Sequence, residues 1–139
     1  MRLSDVVETS RRVAEAGARL EKIRLLAECL AGAEPGVVEA AVGLLSGAPR
    51  QGRIGLGPAT VYAAMPAATA PASGLTVAEV DAWVDRLAAL RGPGSARERT
   101  RLVADLLGRA TRAERDFLAR ALLGALGQGA LEGLMVEAV

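Results

Sequence analysis

Two glycine-rich stretches hold the residues of this chain best suited to chemistry. Residues 47–58 read Gly-Ala-Pro-Arg-Gln-Gly-Arg-Ile-Gly-Leu-Gly-Pro, four glycines and two prolines in twelve residues. Such a run cannot be regular helix and reads as a loop. Residues 124–129 read Gly-Ala-Leu-Gly-Gln-Gly. Glycine permits positive φ and close backbone approach, so a loop of this kind can turn its N–H groups toward an anion. Arg50 and Arg53 stand in the first stretch, with no acid between 47 and 74. Segment 91–120 carries eight Arg against four acids, whereas 75–90 has one Arg against three acids and 121–139 has two acids and no base. The formal net charge of +1 therefore hides a segregated distribution. Guanidinium groups beside glycine amides are the chemistry of phosphate-backbone contact, which grips without reading sequence.

Other chemistries are poorly served. The chain has no histidine, which removes imidazole acid–base catalysis, Ser-His triads and histidine metal sites. The single cysteine, Cys29, excludes disulfides within the chain and thiolate zinc sites, and its apolar helical surroundings mark it as a small core residue. The run from Gly52 to Gly57 lacks the spacing of a dinucleotide fingerprint, follows no strand, and has no Gly-Lys-Ser/Thr of a P-loop. Asp5, Asp81 and Asp85 read as solvated helix-face acids rather than a metal cluster. No catalytic and no metal-ligating residue is assigned. No apolar run reaches the ~18 residues of a membrane span. The N-terminus Met1-Arg2-Leu3-Ser4-Asp5 lacks a secretory apolar stretch. A cytoplasmic protein without membrane contact is expected.

The elements that must position these loops are helical throughout, and the fold class expected is all-α. With 139 residues the chain is one domain, or two small repeated halves. Its only aromatics are Tyr62, Trp83 and Phe117, so the core must be Leu, Val, Ile and Ala. The spacing predicts helices from Ser4 (as N-cap) to about Ala16, from Ala18 to Ala31, and from Pro35 to Ser46, with a short one from Pro58 to Ala64. Leu20, Ile23, Leu26, Ala27 and Leu30 form the apolar stripe of the second. Residues 65–74, rich in Ala and Pro, read as a linker. Three pairs of hydroxyl and carboxylate predict capping boxes: Thr76 with Glu79, Ser95 with Glu98, and Thr111 with Glu114. They open helices running to Leu90, Leu107 and about Leu123. A last helix is expected from Ala130 toward Val139, where the absence of a C-cap signal suggests a truncated chain.

Shifted by 77 residues, the sequence matches itself without a gap. Residues 21–52 align with 98–129 at eleven identical positions, among them Glu21/Glu98, Arg24/Arg101, Leu30/Leu107, Gly47/Gly124, Gln51/Gln128 and Gly52/Gly129. The physical reading is a duplicated helix–helix–loop unit, two copies packed with a pseudo-two-fold to bury faces that neither buries alone. The first unit is about 1–64 and the second about 75–139. A partner with two-fold character of its own, such as a duplex, suits that surface.

At the loops the chain resembles the N-terminal DNA-binding domain of ATP-dependent DNA ligases, most closely the bacterial, actinobacterial type. The resemblance rests on Thr9-Ser10, Arg19-Leu20-Glu21-Lys22-Ile23, Leu25-Leu26-Ala27-Glu28, Leu45-Ser46-Gly47 and Gln51-Gly52-Arg53-Ile54-Gly55-Leu56-Gly57 in the first half. In the second it rests on Gly94-Ser95, Leu102 to Leu107, Ala110-Thr111, Glu114, Phe117 to Arg120 and Leu122 to Val139. It covers nearly the whole chain, 1–139. It implies an all-α domain of two pseudo-symmetric halves that grips nicked double-stranded DNA in the minor groove, mostly through phosphates. By that resemblance Arg50, Gln51, Gly52, Arg53 and Gly55 match a first contact loop. Gly124, Gly127, Gln128 and Gly129 match a second. Ser95, Arg97 and Arg99 match a turn able to hold phosphate at a helix N-terminus.

The sequence departs from the family pattern at Ala125 and Gly127, where basic residues are usual; that loop offers amides and no arginine. Nick sealing in the family proceeds through a lysine–AMP intermediate on a Lys-x-Asp-Gly motif. Here the only lysine, Lys22, is followed by Ile23-Arg24-Leu25, so this chain alone is expected to be inactive and to need no cofactor. ATP and Mg are expected only in the full-length enzyme, whose nucleotidyltransferase and OB-fold domains would be this domain's partners in the same chain. The rival reading is a helical protein–protein interaction scaffold, which would present an apolar rather than a basic loop face.

Overall fold

A computed structural model describes residues 1–52 and 54–123. Among these residues the chain forms seven helices and no strand: α1 (Leu3–Glu15), α2 (Arg19–Ala31), α3 (Val38–Ser46), α4 (Pro58–Ala64), α5 (Val77–Ala89), α6 (Ser95–Arg109) and α7 (Arg112–Leu122). The expected helix beyond Ala130 lies outside the described residues. So do Arg53 and the second glycine stretch.

The core is aliphatic, as the scarcity of aromatics dictates. Leu3, Val6, Leu26, Leu45, Val80, Leu87, Leu106 and Leu118 are fully or almost fully buried, and Phe117 is the one aromatic among them. Packing is reciprocal across the chain: α1 lies on α7, α5 on α3, and α3 against α7. The helix starts are also joined. Arg2 and Thr76, the N-cap residues of α1 and α5, form an isolated antiparallel bridge. In it the Leu3 amide donates to the Leu75 carbonyl at 3.0 Å, and the Val77 amide donates to the Met1 carbonyl at 2.9 Å.

This bridge changes how α1 begins. Ser4 is not its cap; the helix starts at Leu3, with Arg2 in the cap position and no side-chain cap. The first orphan amide is satisfied by Leu75 instead. Two of the three expected capping boxes are complete, Thr76 with Glu79 and Thr111 with Glu114. The third is absent. Gly94, left-handed at φ 80°, takes the N-cap position of α6, and Ser95 is the first helical residue. Backbone bonds from Ser95 to Gly92 and from Glu98 to Gly94 start this helix, which leaves the Glu98 carboxylate to pair with Arg101. The helix expected from Pro35 begins three residues later, at Val38, because the Val37 amide closes a turn onto Glu34 at 2.8 Å. In α2 the inward stripe is Leu25, Leu26 and Leu30, while Leu20, expected inside, is 79% exposed.

Residues 65–74 are strapped to the second half. The Ala70 amide donates to Ala110 at 2.9 Å and the Ser73 hydroxyl to Glu114 Oε2 at 2.7 Å. Glu114 is 1% exposed, yet its other oxygen accepts the Thr111 amide at 2.9 Å, so both carboxylate oxygens are satisfied inside the protein.

Candidate nucleic-acid interface

The first glycine loop leaves α3 through a tight backbone turn. Gly47 is left-handed at φ 74°, its amide donating to Leu44 and that of Ala48 to Gly43, which closes the last turn of the helix. Gly43 itself must be glycine for this path. A Cβ there would stand 2.9 Å from the Arg50 nitrogen and 3.0 Å from the Ala48 oxygen. The Gly52 amide then bonds back to Pro49 at 2.9 Å, and buried Ile54 anchors the loop in the core. Gly52 and Gly55 are exposed, at φ 76° and 71°.

Arg50 and Gln51 lean onto α5. The Arg50 guanidinium forms a two-point pair with Asp81, Nε to Oδ1 at 3.2 Å and Nη2 to Oδ2 at 2.9 Å. Its Nη2 also reaches Asp85 Oδ1 at 2.7 Å. Gln51 Nε2 donates to the same two carboxylates, at 2.8 Å each, and lies 3.2 Å from the Asp81 carbonyl. The hydrogen bond that Arg50 donates to Asp81, and the field of both acids, push the guanidinium further into its charged form. Asp81 and Asp85, one turn apart on α5, are thus loop partners rather than merely solvated acids. The signal for them was in the charge pattern, since an acid-free basic segment (47–74) is followed by an acid-rich one (75–90).

The same loop meets the second half at Arg99. A methyl group built on Gly55 would stand 3.5 to 3.6 Å from Nη2, Cζ and Nε of Arg99 alike, so the guanidinium lies flat beneath the glycine. Arg99 Nε is buried and has no hydrogen-bond partner among the described residues. Arg97 is exposed and Ser95 half-buried in the same first turns of α6. The structure therefore brings Gly55 and Arg99 together and places Arg50 and Gln51 against α5. Gly124, Gly127, Gln128 and Gly129 fall outside the described residues.

Much of the remaining positive charge between 91 and 120 is committed within the fold. Arg101 pairs with Glu98 and Asp105, and Arg115 with Asp116. Arg91 donates to the carbonyls that end α5. Arg109 stacks on Trp83, 5.1 Å from the ring centre, as does Arg86 of the preceding segment at 5.2 Å. The indole nitrogen of Trp83 donates to Leu102 at 2.7 Å, which locks α5 to α6. An open cleft of about 460 Å³ runs beside the loop, between Gly47, Gly52, Ile54 and Gly55 on one side and Leu122 and Leu123 at the end of α7 on the other. No helix among the described residues is long and apolar enough to cross a membrane.

Comparison with known proteins places this architecture. The sequence profile of the family described as DNA ligase N terminus matches residues 65–139, more than half of the chain. A protein named "Probable DNA ligase" from an Anaeromyxobacter species is 58% identical over the whole chain. Proteins of the same name from Rhodococcus opacus and Saccharopolyspora erythraea are each 48% identical, over 100% and 99% of the chain. The chain spans about 27% of the length of these relatives. With its all-helical build and these matches along its length, the chain belongs to the DNA ligase N-terminus family.

Proposed function

We propose that this domain is the sequence-independent duplex-binding module of an ATP-dependent DNA ligase, acting in the cytoplasm. It holds nicked double-stranded DNA by the minor groove and phosphate backbone, while nucleotidyltransferase and OB-fold domains of the same parent chain, using ATP and Mg, carry out the sealing. The observation that carries the reading is the junction of Gly55 and Arg99. An exposed glycine with positive φ faces a guanidinium that has no carboxylate partner among the described residues, near the N-terminus of a long helix. Backbone amides and an uncompensated arginine at one place suit a phosphate oxygen. By the resemblance, Gly52, Arg53, Ser95 and Arg97 belong to the same contact set, and Gly124, Gly127, Gln128 and Gly129 to a second one without arginine.

The test is a fluorescence-anisotropy titration of the chain against nicked duplexes of unrelated sequence at several salt concentrations. With four or five phosphates neutralised, log K should fall against log salt with a slope of roughly −4, alike for all sequences. Affinity that ignores salt, or none at low ionic strength, would overturn the reading.

A further inference from the structure

A phosphate-binding loop with two carboxylates beside it poses an electrostatic problem. Asp81 and Asp85 hold negative charge next to a surface that, on the reading above, receives a polyanion. Simple repulsion predicts that such acids weaken binding. The geometry supplies a reason for them. Pro49, Arg50 and Gln51 line one narrow crevice with Ala40 and Leu44 of α3 and Val80 and Val84 of α5. At its rim the two acids receive hydrogen bonds from both Arg50 and Gln51. The Asp81 and Arg50 side chains are only 23% and 32% exposed, so this is not a fully solvated surface pair. Arg50 offers a flat fork, and the Asp81 carboxylate meets it at two points, which fixes orientation as well as distance.

We propose that Asp81 and Asp85 are positioning residues of the interface: through Arg50 and Gln51 they hold the 47–57 loop in its binding shape, and Arg50 acts on the loop rather than on a phosphate. This rests on the duplex-binding reading. The acids act from one half of the chain on the loop of the other. Their local repulsion of DNA is outweighed by the ordering they impose, because a loop fixed beforehand need not be ordered at the moment of binding.

The test uses the whole 139-residue chain. The variant D81N/D85N keeps side-chain size and removes two negative charges. Repulsion alone predicts tighter duplex binding, whereas loop positioning predicts affinity about tenfold weaker. The salt slope should stay that of the wild type, since no phosphate contact is lost. Trypsin should cut after Arg50 faster in the variant. R50A added to D81N/D85N should cost little further, because the charged partners of Arg50 are gone and only the weaker neutral Asn oxygens remain. If the double variant melts before it can be assayed, D85N alone carries the comparison, since the Asp85 side chain is 52% exposed and easily replaced. A wild-type chain that binds while D81N/D85N binds equally or more tightly overturns the positioning role alone. So does R50A lowering the salt slope by about one in the D81N/D85N background, the signature of a direct phosphate contact. A wild-type chain that does not bind duplex removes the parent reading and this one together.

Discussion

Gly55 turns its empty side-chain position toward the flat face of the Arg99 guanidinium, so the first glycine loop and α6 meet there. The glycine's positive φ lets the loop turn there, and the cation supplies charge beside the exposed loop backbone. Arg99→Ala should weaken binding to all duplexes alike and make the salt slope shallower by about one unit, read by anisotropy titration. Gly55→Ala should also weaken binding, although a methyl there makes only ordinary contact with Arg99. Its φ of 71° is costly for any side chain, by about 1–2 kcal/mol.

Gly43→Ala should destabilise the fold by about 1–3 kcal/mol, because the new methyl meets backbone atoms that cannot swing aside as a side-chain tip can. A denaturant melt measures the loss. The start of the loop, at Ala48 to Arg50, should show the greatest rise in hydrogen exchange.

Glu114→Ala should be among the more damaging single changes. It leaves the Thr111 amide and the Ser73 hydroxyl without their acceptor in a buried place, a loss of about 2–3 kcal/mol. Glu114→Gln keeps the size and one acceptor, and should cost less. Thermal melts of the two variants side by side check the order.

Acid should weaken the fold only gradually. Glu8, Glu21 and Glu98 are held below the ordinary glutamate range by hydrogen bonds from Arg11, Arg24 and Arg101, and Glu34 by the Met1 ammonium group. A depressed folded-state pKa contributes stability that is complete above the unfolded value, about 4.3, and lost as pH falls through the lower folded value. All four groups are solvent-exposed pairs, so the effect of each is small. Melting temperature followed from pH 7 to pH 3 should hold near neutrality and decline below about pH 4.5. A decline already complete by pH 6 would contradict this assignment.

The helices were largely legible because apolar spacing and two of the capping boxes state them locally. The errors share a cause. Ser4, Ser95 and Pro35 are good helix starters in isolation, but each was overruled by backbone partners: Leu75 for α1, Gly92 and Gly94 for α6, and Glu34 before α3. Leu20 and Leu25 compete for the inner side of α2, and only the packing of the other helices decides for Leu25. At the candidate site the glycines and arginines were visible as types. Which arginine faces which partner was not, since Arg50 and Asp81 are brought together by the docking of two helices far apart in sequence. The isolated acids on α5 looked solvated because the groups that hold them belong to another segment.

The paired bonds at Arg2 and Thr76 have a consequence for how the domain comes apart. Each half supplies the acceptor for the other's first helical amide, and each leading helix packs across onto the other half, α1 on α7 and α5 on α3. Neither half therefore has a complete folding unit of its own, and local opening of one start should release the other. A backbone cut placed between 65 and 74 should leave two fragments that stay associated in native buffer and dissociate in a single cooperative step. Two halves interlocked at their starts in this way stand or fall together.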